Sequence, residues 1–91
     1  MAHFEIHRTH SMEMDELRQA AQELAQQLER DHGVKAHWKA NSVHIKGAGI
    51  TGRLILDEEE VAVRVELSLL AAPFRTVLRR EVEQHLDEYV R

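Results

Sequence analysis

Between Val61 and Leu69 five apolar residues, Val61, Val63, Val65, Leu67 and Leu69, alternate without interruption with Ala62, Arg64, Glu66 and Ser68. Successive side chains of a strand point to opposite faces, so this run predicts a strand with one buried and one polar face. A strand of that kind needs neighbours to pair its backbone and a second layer to cover its apolar side. The same alternation recurs elsewhere. Phe4 and Ile6 oppose His3, Glu5 and His7; Val34, Ala36 and Trp38 oppose Lys35, His37 and Lys39; Val43 and Ile45 oppose His44 and Lys46. Leu54 and Leu56 share one face of a further strand over residues 50–56.

Two segments carry the helical period instead. Met14, Leu17, Ala21, Leu24, Ala25 and Leu28 recur at the spacing of one helix face. Ser11 is the expected N-cap, Glu13, Asp15 and Glu16 suit the positive end of the helix dipole, and Gly33 suits its C-terminal stop. After Pro73, which favours a first helical turn, Phe74, Val77, Leu78, Val82, Leu86 and Tyr89 form a second stripe, with His85 on or beside it as a packing histidine. Ala40-Asn41 serves as a two-residue turn that pairs Trp38 with Val43, Ala36 with Ile45, His37 with His44 and Lys35 with Lys46. Both faces are then chemically consistent. Gly47-Ala48-Gly49 connects the next strand, and Asp57 to Glu60 form an acidic turn. The order is β-α-β-β-β-β-α: a single α+β domain over residues 1–91, with an antiparallel sheet of four to five strands and both helices packed on one face.

At 91 residues the core is small, which argues against a deep cofactor pocket. The longest apolar stretch, Leu69 to Ala72, is too short to span a membrane. Met1 to Ile6 lack the basic region and apolar run of a secretory signal, and zero cysteines exclude disulfides and thiolate chemistry. A cytoplasmic protein is expected. The net charge of −4 argues against a generally basic nucleic-acid binder.

No catalytic constellation is expected. Ser11, Ser42 and Ser68 read as a cap, a turn residue and an exposed strand position, outside any Gly-x-Ser-x-Gly elbow. The acidic turn is solvated, with little to raise a carboxyl pKa. Gly47 to Gly52 match Gly-x-Gly-x-x-Gly as a string, but a dinucleotide site needs a helix after it and here a strand follows. His3 and His7 stand roughly 13 Å apart along a strand, too far to share a metal. His37 and His44 come to about 5 Å across the hairpin, yet zinc takes four ligands and local spacing supplies no carboxylate. No metal, cofactor-binding or catalytic residue is expected.

The outer sheet face is the most informative surface. It carries Lys35, Lys39, Lys46, Arg53 and Arg64 against Glu5 and Glu66, with His37 and His44 among them. Five cations against two carboxylates leave a surplus of three, so the rest of a chain of net −4 carries −7. Lys35, His37, Lys39, His44, Lys46, Arg53 and Arg64 are therefore the candidate docking residues for an anionic partner. With no aromatic expected on this face, it lacks the stacking platform of a single-strand nucleic-acid binder.

Several features together resemble a small bacterial family, the polyhydroxyalkanoic acid system proteins: His10 opening the first helix, Ala20-Ala21-Gln22-Glu23-Leu24-Ala25, and Trp38 before a short turn. To these add Gly49-Ile50-Thr51-Gly52-Arg53-Leu54 and Val65-Glu66-Leu67-Ser68-Leu69-Leu70 running into Pro73. The family pattern has Gly-Asp in the turn after the tryptophan, where this chain has Ala40-Asn41-Ser42, and often an aromatic where Ile45 stands. The resemblance implies association with polyhydroxyalkanoate storage granules and supplies no catalytic residues. The expectation is a non-enzymatic accessory protein that binds granules or granule proteins, with a homodimer through an exposed edge strand possible in principle. The alternative is a small carrier of an apolar or acyl ligand held between sheet and helices, against which a core this small is expected to be filled by its own side chains, including Trp38, Phe74 and Tyr89.

Overall fold

The computed structural model describes residues 2–91. Five strands, β1 (Ala2–Thr9), β2 (Lys35–Lys39), β3 (Ser42–Gly47), β4 (Ile50–Leu56) and β5 (Glu60–Leu67), form one antiparallel sheet in the order β1-β5-β4-β3-β2. Helix α1 (Met14–His32) follows β1, and α2 (Arg75–Tyr89) follows a short 3-10 turn at Ala72–Phe74. The fold is α+β. The alternating run at residues 61–67 lies between β1 and β4, paired on both sides. Its Val61, Val63, Val65 and Leu67 are buried, as are Phe4, Ile6, Val43, Ile45, Leu54 and Leu56 on the same face. Leu17, Leu24 and Leu28 of α1 and Leu78, Val82 and Leu86 of α2 complete one continuous core against that face. Helix α1 lies over β2 to β4 and α2 over β1.

Side chains bridge the two helices at two places. His85 is buried, with Nε2 2.9 Å from the Ala20 carbonyl oxygen, and its ring lies 4.6 Å from that of Tyr89. The half-buried pair His32 and Glu81 meets at 2.9 Å. Glycine at position 33 has φ 71° and donates its N–H to Glu29 O, the left-handed stop expected of it.

Three expectations are corrected. Ser11 is not a cap: α1 begins at Met14 with Glu13 in the cap position and no side-chain cap bond. Ser11 instead reaches the other end of the chain, donating its N–H to Arg91 O at 2.6 Å and its hydroxyl to the same oxygen. Leu69 does not continue β5. Ser68 donates to Gly49 O at 2.8 Å and its own carbonyl accepts from Ala71 and Ala72, which turns the chain off the sheet. Phe74, Val77 and Tyr89 are exposed, because α2 crosses near the sheet edge and only the stripe of Leu78, Val82, His85 and Leu86 is covered. The core is thus closed by aliphatic side chains and Phe4, with Trp38 only half-buried. The void between sheet and helices beside Gly52 measures about 10 Å³, the room of a single water, so an acyl chain finds no space there.

The β2–β3 turn shows why a glycine suits the position after the tryptophan. Ala40 sits at φ 55°, a left-handed conformation that crowds a Cβ against the following carbonyl. Arg18 fastens this turn from α1: one guanidinium nitrogen donates to Ala40 O at 3.1 Å and to Asn41 Oδ1 at 2.8 Å. The same guanidinium lies 4.4 Å over the Trp38 ring, whose indole N–H donates to Gln22. Ala40→Gly removes the crowding, and the expected gain is about 0.5–1 kcal/mol. A rise of a few degrees in thermal midpoint checks it, at roughly 4–8 °C per kcal/mol for a domain of this size.

Candidate functional site

Because both helices cover one side of the sheet, the other side is open to solvent. The registers align its residues in rows across the strands. One row runs His3, Glu66, Thr51, Lys46, Lys35; the next runs Glu5, Arg64, Arg53, His44, His37. The expected hairpin register holds, with Lys35 opposite Lys46 and His37 opposite His44. All seven candidate residues, Lys35, His37, Lys39, His44, Lys46, Arg53 and Arg64, share this outer face, and all but the half-buried His44 are exposed.

The sheet's twist makes a shallow concavity of about 440 Å³ in the middle of the face, bordered by His44, Lys46, Thr51, Arg53, Arg64 and Glu66. Arg53 and Arg64 are direct cross-strand partners on β4 and β5. Like charges in that position destabilise a sheet slightly unless an anion lies between them. Arg64 has such a partner, since its Nε stands 3.4 Å from a Glu5 carboxylate oxygen. Arg53, Lys35, Lys39 and Lys46 make no ion pair among the described residues. The turn between Leu56 and Val61 sets the Arg53–Arg64 pairing, as the β2–β3 turn sets that of Lys35 and Lys46.

One acid belongs to this face that the sequence reading assigned to a solvated turn. Glu60 starts β5 and accepts from His7 Nδ1 at 2.6 Å, while His7 Nε2 lies 2.7 Å from Glu5 Oε1. Carboxylates only accept, so His7 in its imidazolium form donates to both at once. The face is therefore divided. Glu5, Glu60 and Glu66 gather with His7 toward β1 and β5, and the unpaired cations gather over β2 to β4. The His37–His44 pair has Arg53 as its next neighbour in the row, a poor setting for a metal cation. Among the described residues no group of three or more His, Asp or Glu could hold a metal ion.

The remaining histidines serve the fold. His10 Nδ1 accepts from the Met12 N–H at 3.1 Å, so Nε2 donates to Asp57 O at 2.7 Å, tying the start of α1 to the acidic turn. His32 and His85 bridge the helices, as described above.

Residues 4–90 match the family described as "Putative polyhydroxyalkanoic acid system protein". The chain belongs to that family. No curated protein and no solved structure gives a significant match. Among the described residues no helix is long and apolar enough to cross a membrane. In this member of the polyhydroxyalkanoic acid system family, Gly52 and Arg53 are neighbours on β4. Gly52 faces the core, where an added Cβ would stand 3.3 Å from the Arg64 carbonyl oxygen and 3.4 Å from Val65.

The His7 contacts make a pH prediction. Its hydrogen bonds to Glu60 and then Glu5 raise its pKa above the usual 6.5, and the bond from His7 followed by the Arg64 charge lowers that of Glu5 below 4.5. A raised histidine contributes stability below 6.5 that is lost as pH climbs through its folded value. A depressed carboxylate contributes stability above 4.5 that is lost as pH falls through its own. Both contributions are present between those limits. An NMR titration is expected to place the His7 midpoint above 6.5, and Glu60→Gln to bring it down.

Proposed function

We propose that this protein is a non-enzymatic accessory factor of the polyhydroxyalkanoate system, working in the cytoplasm by binding storage granules or the proteins on them. The family membership supports the setting, and the open basic half of the sheet supports the mode of action. Cations over β2 to β4 that lack intramolecular partners are available to an anionic protein surface, and Arg53 beside Arg64 offers two guanidinium forks to a carboxylate. The acidic remainder of the molecule favours one docking orientation by repelling a like-charged partner elsewhere. Four of the seven histidines are occupied in structural contacts: His7 with two carboxylates, His10 with backbone, His32 with Glu81 and His85 with Ala20. Those contacts favour a binding role over a catalytic one.

A pull-down from polymer-accumulating cells tests the reading. The wild-type chain is expected to capture a granule protein, more weakly as salt rises. Lys35→Glu combined with Lys46→Glu should abolish capture while the circular dichroism spectrum stays native, since both side chains are exposed. Capture unaffected by the charge reversal would place the partner on another surface. Deletion of the gene with no change in granule size or number would remove the accessory role itself.

A further inference from the structure

The most exposed apolar side chains of the molecule lie together in the chain just after the sheet. Leu69 is 76% exposed, Leu70 92%, Phe74 54% and Val77 56%. They do not hang from a loose loop. Ser68 O accepts from the Ala71 N–H at 3.1 Å, so Leu69 and Leu70 are the two central residues of a closed turn. Glycine, proline, asparagine and aspartate dominate such positions, and two leucines at a solvated turn have no packing reason to be there. Buried Leu67 and Ala71 flank the turn. Ser68 N–H holds it to Gly49 O at 2.8 Å, and a Cβ on Gly49 would come within 2.5 Å of the Ser68 hydroxyl. The turn is seated against the β3–β4 connection at a point where only glycine fits.

The chain that follows it is basic. From Leu67 to Arg80 there is no acid, while Arg75, Arg79 and Arg80 are present. Arg75 Nε donates to His3 O and Arg79 pairs with Glu83, but Arg80 has no ion pair among the described residues. The acidic turn lies at the other end of β4 and β5: Ile50 pairs with Leu67 beside the apolar turn, and Leu56 pairs with Val61 beside Asp57. Asp87 and Glu88 likewise lie at the far end of α2.

We propose that the Leu69–Leu70 turn, with Phe74 and Val77, is the part of this protein that inserts into the surface of the polyester itself. This rests on the polyhydroxyalkanoate reading above and names its contact point. An aliphatic polyester presents hydrocarbon and ester carbonyl oxygens, a surface of acceptors without donors. Arginine is donor-only, and an apolar turn followed in the chain by Arg75, Arg79 and Arg80 offers that surface both hydrocarbon and donors. A second copy of the chain is a poorer fit, because four side chains on a protruding turn fall well short of the roughly 800 Å² per partner of a stable interface. Seated by this turn, the protein would keep its acidic end away from the polymer.

The test is co-sedimentation of the purified protein with amorphous poly(3-hydroxyalkanoate) particles, beside phosphatidylglycerol and phosphatidylcholine vesicles. Wild-type protein is expected on the polyester. Leu70→Ser alone should weaken binding about tenfold and Leu69→Ser with Leu70→Ser about a hundredfold, from the transfer of each leucine out of water. Equal binding by the leucine variants, binding to phosphatidylglycerol vesicles but not polyester, or self-association lost in the leucine variants would each overturn the proposal. Native granules separate it from the broader reading. If they retain the double leucine variant as well as wild type, the turn is not the contact and the granule role stands. If wild-type protein is absent from native granules yet binds bare particles through the leucines, the contact stands and the granule role falls.

Discussion

Burial of Val61, Val63, Val65 and Leu67 beneath the helices is the contact on which the remaining structure depends. Strand β5 joins the N-terminal strand to the three-strand meander that precedes it, so every other strand takes its parity from this one. A one-residue slip would turn four aliphatic side chains to water and bring Arg64 and Glu66 into the core. Once the helices cover that face, the other has nothing over it. The open polar surface is thus a direct consequence of having two helices and one sheet.

Within that frame the molecule separates its charges and its apolar exposure in space. The strands run between an acidic end, at Asp57 to Glu59, and an end where the chain turns over at Leu69 and Leu70. Across the sheet, carboxylates gather with His7 at one side and unpaired cations at the other.

The backbone shows a parallel economy of means at its turns. Ala40 holds a left-handed conformation that glycine would hold more easily, and Arg18 fastens the same turn with two hydrogen bonds and a stacked guanidinium. Gly49 permits the β3–β4 connection to touch Ser68, and Gly52 lets β4 and β5 approach where Arg53 meets Arg64. Each of these positions shapes a surface feature through the space it leaves or fills beneath it.

Strand parity, helix periodicity and the β2–β3 register were readable from the residues because each is local: side-chain direction alternates every residue on a strand and repeats every 3.6 on a helix, whatever the rest of the chain does. Parity alone places Lys35, His37, Lys39, His44, Lys46, Arg53 and Arg64 on one face. What periodicity cannot carry is where an element stops being covered. Leu69 continues the alternation of β5 in sequence, yet the bond from Ser68 to Gly49 takes it off the sheet. Phe74 and Val77 fit an apolar stripe, yet α2 runs beside the sheet edge and leaves them in water. Ser11 has the chemistry of a cap, yet its partner is Arg91, eighty residues away. Glu60 and Glu5 meet at His7 only because β1 lies beside β5. The sequence by itself determined which faces are apolar and which polar, since that is written in local spacing. The tertiary structure alone decided which apolar residues remain exposed and which charges find partners, since both depend on strand order and on the finite area two helices can cover.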